Sequence, residues 1–168
     1  MTIGVCPYLL WQGIATEDQA RRYIDQLSQL AQGGAPMFRA WARVFDGYWR
    51  ARRGEANGID LLRQGMDEWA AGSRSGYAYQ RLLLIEVDLR VREIAAAQQA
   101  ADEALAFVEQ SGNRVYEAEL HRLRGEVATA CGNHIEAEAC FRRAIEVANA
   151  QGAIVWARRT THSLEQLG

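Results

Sequence analysis

The sequence predicts an all-α fold in which helical hairpins stack into an array, and three observations carry that expectation. Four stretches align on one another: Ala20, Ile24 and Leu27; Gly58, Leu62 and Gly65; Ala97, Ala101 and Ala104; Ala137, Phe141 and Ala144. Their first members lie 38, 39 and 40 residues apart, a period in the range of stacked repeats. Breaks containing Gly34, Gly72, Gly112 and Gly152 keep step with them. Apolar residues recur at helical spacing throughout, with no two-residue alternation bounded by turn signals.

The pattern predicts nine helices, near residues 6–13, 17–32, 36–53, 57–71, 76–91, 94–110, 114–131, 134–150 and 153–166. The first is apolar through Val5, Tyr8, Leu9, Leu10, Trp11 and Ile14, with Pro7 inside it, so it is short or kinked. A terminal repeat needs a polar outer face. Residues 3–14 lack one, which predicts self-association through them or an array that continues upstream in a longer parent. Thr16 and Gln19 have capping-box spacing and begin the second helix. Pro36 sits at the start of the third, where its missing N–H is harmless.

In the seventh helix Tyr116, Leu120, Leu123 and Val127 share one face. Gly125 lies mid-helix, at a cost of about 1 kcal/mol relative to alanine, so the partner helix is expected to approach closely there. Asn133 and Glu136 repeat the capping-box spacing at the eighth helix. Ala137 and Ala144 present little bulk, leaving room for Phe141 between them. Arg158, Arg159, His162 and Glu165 make the last helix a solvating cap. Gly34, Gly72, Gly112 and Gly152 are read as helix-closing residues. Short linkers force neighbouring helices to pack antiparallel. The whole chain, 1–168, reads as one domain with units near 1–34, 35–73, 74–112 and 113–152 and a cap at 153–168.

Composition bounds the function. Hydrophobic residues at 49% and charged residues at 24% of the 168 fit a globular domain. A formal charge of −2 argues against a protein that binds by neutralising phosphates, so no nucleic-acid partner is expected. The apolar runs are too short to span a bilayer and no signal-peptide pattern is present, so cytoplasm is the default location and no membrane partner is expected. Every basic residue is arginine. Cys6, Cys131 and Cys140 are odd in number and lack C-x-x-C spacing, which fits reduced thiols; a pair across the turn between Cys131 and Cys140 is the less plain reading.

Gly125, Gly132, Ala137, Phe141 and Ala144 occupy the relative positions of the small and aromatic anchors of the tetratricopeptide repeat (TPR), which this hairpin resembles with longer helices. The resemblance covers roughly residues 16 to 167 and implies a right-handed α-α superhelix, a TPR-like solenoid of about four hairpins plus a C-terminal capping helix. Residues 116–126 and 136–144 are further similar to the C-terminal repeats of large bacterial signalling proteins. Those proteins join an adenylate/guanylate cyclase-like or DNA-binding module to a signal-transduction ATPase. The resemblance implies the sensor or adaptor end alone, since no nucleotide-binding or cyclase segment is present. In the middle units Ala101 replaces the aromatic anchor, and one residue fewer separates Gly54 from Gly58 than Gly132 from its counterpart.

No catalytic, cofactor or metal signature is found. Without lysine there is no phosphate loop, and His121, His134 and His162 lack metal-ligand spacing. Gly72-Ser73-Arg74-Ser75-Gly76 reads as a loop between helices instead of a nucleophile elbow. Glu86, Asp88, Glu117, Glu119 and Glu126 read as surface charges paired with arginines a turn away, such as Glu119 with Arg122. A non-catalytic module is therefore expected.

The resemblance further implies that first helices line an inner wall. Its expected contact residues are Trp41, Tyr48 and Arg52, then Tyr79, Glu86 and Arg90, then Glu119, Arg122 and Glu126, with Val44 and Leu82 between them. Such a wall suits an extended peptide or a helix from a protein partner. Trp41, Phe45, Tyr48 and Trp49 also recur at core-like steps, so structural packing is the plainer reading of them. The competing functional class is a receptor that closes on an apolar effector beside Trp41 and Tyr79.

Overall fold

The computed structural model describes residues 16–34, 36–72 and 76–168. The helix expected near 6–13, Cys6 and the self-association segment 3–14 lie outside the described residues. Among those described, every regular element is an α-helix: α1 (Glu17–Gln32), α2 (Pro36–Arg52), α3 (Gly58–Gly72), α4 (Tyr77–Arg90), α5 (Ile94–Ser111), α6 (Glu117–Ala130), α7 (His134–Ala150) and α8 (Ile154–Glu165). Thr16 forms the full capping box: its Oγ1 accepts from Gln19 N at 3.3 Å, and its own N–H donates to Gln19 Oε1 at 2.8 Å.

Three local expectations are corrected. Gly72 is the last residue of α3, and the left-handed glycine of that connection is Gly76, with φ 79°, directly before α4. The helix expected from residue 114 begins at Glu117, because Arg114 and its neighbours form a turn closed by Glu117 N–H donating to Arg114 O at 3.1 Å. Asn133 caps α7 through Glu136 N at 3.3 Å, but its side-chain amide donates to Glu136 Oε2, so the box is only half formed.

The chain divides into two compact units, residues 1–75 and 76–168. In the first, α2 packs against both α1 and α3. The α2–α3 seam is made of backbone. A Cβ on Gly47 would lie 2.7 Å from Leu62 Cα, one on Gly58 2.7 Å from Ala51 Cα, and one on Gly65 2.7 Å from Val44 N. Gly47 of α2 and Gly58 and Gly65, two turns apart on α3, thus let the two helices touch, and Leu62, Val44, Phe45 and Tyr48 close the core around them. Arg53, in the α2–α3 turn, pairs with Glu55 and with Glu17 at the start of α1.

In the second unit, each helix of the α4-to-α8 series packs on the next, and α6 also packs on α4 and α8. The repeat anchors Ala97, Ala101, Ala104, Ala137 and Ala144 have no exposed surface. Alanines at these positions let helices approach closely, and Ala101 needs no aromatic ring to be buried. The turns after α4, α6 and α7 close alike: Glu93 N donates to Asp88 O, Asn133 N to Ala128 O and Ala153 N to Ala148 O, at 2.8 to 2.9 Å. This is the six-to-one bond of a Schellman ending, with the left-handed residue just before the donor. That residue is Gly132 or Gly152 in two turns and Arg92, φ 64°, in the third.

Candidate partner-binding site

The expected contact residues fall into both units. In the first, Trp41 is half-buried, packed edge-on to Phe38 at 6.1 Å and tilted on Trp69 at 5.0 Å between ring centroids. Tyr48 is 1% exposed. Its hydroxyl accepts from Arg52 Nη1 at 3.3 Å, and the Arg52 guanidinium sits 5.6 Å from its ring centre. Tyr48 therefore supports Arg52 from the core, and Trp41 and Arg52 carry the reachable surface.

In the second unit the first helices of successive hairpins, α4, α6 and α8, bring the remaining residues together. An aromatic ladder crosses their N-terminal ends: Tyr79 to Tyr116 at 5.6 Å, and Tyr116 to Trp156 at 6.2 Å. Beside it lies a network of charge. Arg122 Nε donates to Glu119 Oε1 at 2.7 Å, and its Nη1 donates to Glu126 Oε1 at 3.0 Å. Arg159 lies 3.4 Å from Glu119 and 3.6 Å from Glu86, and Glu86 is 4.0 Å from Arg122. The Ser163 hydroxyl donates to Glu126 Oε1 at 2.7 Å.

Burial grades across this network. The side chains of Glu119 and Arg122 are 0% and 8% exposed, those of Glu86, Arg159 and Glu126 20%, 32% and 36%. The expectation of a solvated Glu119–Arg122 pair is thereby corrected, as are surface positions for Asp88 and Glu117, which are 0% and 7% exposed. Glu117, Glu119 and Arg122 lie on α6, which packs against α4, α5, α7 and α8, and Asp88 lies on α4, which packs against α5 and α6. Burial works against the charge on Arg122, yet Glu119, Glu126 and Glu86 more than offset it and hold its pKa above the ordinary value. The guanidinium stays charged inside the fold.

The period explains why this charge is unusual. Glu119 lies 40 residues after Tyr79, and Arg122 lies 40 residues after Leu82. Those positions of α4 hold an aromatic and an aliphatic core side chain, 6% and 0% exposed. At the same places α6 buries an ion pair. A buried ion pair is in general no more stable than an apolar pair of its size, so packing alone does not account for it. Arg90 is exposed and makes no ion pair among the described residues. Arg159 and Ser163 join the network although the sequence reading assigned the last helix to solvation; the signal was the same period, since Arg159 follows Glu119 by 40 residues.

The arrangement presents charge held in place by neighbouring donors. Among the described residues no group of three His, Cys, Asp or Glu side chains is placed to hold a metal ion. No helix there is long and apolar enough to cross a membrane. His121, one turn from Glu117, has its pKa lowered by burial and by Arg143 and Arg124, against the opposing pull of Glu117 and Glu109.

A family model described as a tetratricopeptide repeat-like domain matches residues 68–168. An uncharacterized protein of Rhizobium meliloti (strain 1021) is 30% identical over 142 residues, which is 83% of this chain. The chain spans 13% of that relative's length.

Proposed function

The chain belongs to the tetratricopeptide repeat-like family, and from that membership we propose that it is a non-catalytic adaptor whose α4–α6–α8 face captures a peptide or helix of a protein partner. Repeats of this family generally mediate protein–protein interaction. The observation that carries the reading is the graded network: the buried Glu119–Arg122 pair fixes Glu86, Glu126 and Arg159 at the margin, where a partner can reach them. Charges held in place before binding lose little rotamer freedom on contact. The finer part of the proposal is that the module is the regulatory end of a bacterial signal-transduction protein of the ATPase type. Its support is the likeness of residues 116–126 and 136–144 to such repeats, and the match to a small part of a much longer bacterial protein.

The test is capture from the source cell with the wild-type chain and with the variant Glu126→Gln, which keeps an acceptor for Arg122 and Ser163. Loss of the same retained protein from the variant, with an unchanged thermal midpoint, is expected. Equal capture by both would remove this face from the reading.

A small-molecule receptor is the second reading, with its site moved from the expected place beside Trp41 and Tyr79 to an open groove of about 460 Å³ on α1, α2 and Leu61 of α3, whose apolar lining is Ile24, Ala31, Ala42 and Leu61. That volume is within the range of ligand sites. A thermal-shift screen with metabolites separates the two, because a specific ligand raises the midpoint by linkage.

A further inference from the structure

We propose that the groove on α1, α2 and Leu61 takes a small organic monocarboxylate, with its carboxylate at Arg39 and its apolar body along Ala42, Ile24 and Leu61. The inference rests on the receptor reading and adds the chemistry of the ligand. Arg39, Ala42, Arg43 and Asp46 follow one another on α2 at steps of three, one and three residues, so they share the helix face that lines the groove. Ile24 and Ala31 of α1 and Leu61 of α3 complete the apolar lining. All three are half-buried, so each keeps apolar surface that a ligand can cover. The backbone contact between Gly47 and Leu62 holds α3 against α2 and places Leu61 beside this face, so the groove is formed before a ligand arrives.

The charges on that face set the polarity of the ligand. Arg43 is tied to Glu68 of α3 by a hydrogen bond. Arg39 meets the same carboxylate only at 3.7 Å, donates no hydrogen bond among the described residues, and keeps 59% of its side chain exposed. Its guanidinium therefore has N–H donors to give, in the fork that matches a carboxylate. Asp46 lies two turns further along α2, about 10 Å away, where it accepts from Arg50 Nε at 2.9 Å. Its negative charge in the lining repels a second anionic group on the ligand. One anionic head and an apolar body thus fit this face, and a dianion does not.

Hexanoate, hexanamide and hexylammonium carry similar aliphatic bodies behind a negative, a neutral and a positive head, and acetate is the head alone. Each is to be titrated into the full chain at matched ionic strength. Hexanoate is expected to raise the thermal midpoint by linkage, and the other three to leave it unchanged. By calorimetry Arg39→Gln should weaken hexanoate about tenfold, Arg39→Lys should weaken it less because the charge is kept, and Arg21→Gln, outside this lining, should not weaken it. An equal response to hexanamide or hexylammonium, hexanoate binding that survives Arg39→Gln intact, or no response to hexanoate would each overturn the inference. The receptor reading itself falls only if the metabolite screen also yields no ligand.

Discussion

The ring of Phe141 on α7 fills the space that a side chain at Gly125 of α6 would need: a Cβ there would lie 2.6 Å from Phe141 Cδ1 and 2.9 Å from Cζ. Phe141 is 1% exposed, and burying it fully contributes about 2 to 3 kcal/mol, more than the roughly 1 kcal/mol that a mid-helix glycine costs. Gly125→Ala should therefore destabilise the second unit by about 1 to 3 kcal/mol through overpacking, despite its better helix propensity. Adding Phe141→Leu should recover part of the loss, giving a coupling measurable in a double-mutant cycle by urea unfolding. A Gly125→Ala chain more stable than wild type would refute this account of the hairpin.

The Glu119–Arg122 pair makes the opposite kind of prediction. Arg122→Ala strands a buried carboxylate and should cost about 3 to 5 kcal/mol. Glu119→Tyr with Arg122→Leu copies Tyr79 and Leu82 from the preceding unit, and should cost far less than the sum of its single changes. Denaturation midpoints of the two singles and the double decide the matter. If the pair is held for recognition, the stable double variant should also lose its partner.

These two relationships show what the sequence could and could not convey. The small residue at 125, the aromatic at 141 and the alanines flanking it are a local pattern, and each constrains the other through volume, so the packing was legible. Among the described residues the helix bounds were legible from apolar periodicity, apart from the start of α6, where the residues before Glu117 form a turn instead of helix. Burial of Glu119 and Arg122 was not legible, because charged residues at three-residue spacing also describe a solvated helix face. Only the neighbouring helices α4 and α8 distinguish the two, and they arrive from distant sequence. Arg159 escaped for that reason as well.

Arg92 occupies the left-handed slot that Gly132 and Gly152 hold in the sister turns. A side chain there costs about 1 to 2 kcal/mol relative to glycine. Arg92→Gly keeps the Glu93-to-Asp88 backbone bond and should raise stability by about 1 kcal/mol, less the entropy that glycine adds to the unfolded chain. A shift of the midpoint to lower urea would show that the Arg92 side chain contributes more than its backbone strain costs.

Cys131 is exposed at the end of α6, whereas Cys140 is half-buried on α7. Burial pushes the Cys140 thiol up against the opposing effect of Arg124, which lowers its thiolate fraction near neutral pH. In a Cys6→Ser background, maleimide should label Cys131 well before Cys140, as read by mass spectrometry. Equal rates, or a disulfide between them in the untreated chain, would contradict both placements.

His121 gives the fold a pH dependence of definite sign. Its folded pKa lies below the ordinary value of 6.5, because burial and the nearby Arg143 and Arg124 outweigh Glu117 and Glu109. The folded chain thus binds this proton more weakly than the unfolded chain does. The neutral ring's contribution is fully present above 6.5, and it is lost progressively as pH falls through 6.5 toward the depressed folded value. Urea midpoints should accordingly decline on acidification between about pH 7 and pH 5, above the range where most carboxylates titrate. His121→Asn, which cannot take up the proton, should flatten that limb while leaving the carboxylate-driven loss at lower pH. An NMR titration of the His121 ring with a midpoint at or above 6.5 would reverse the sign.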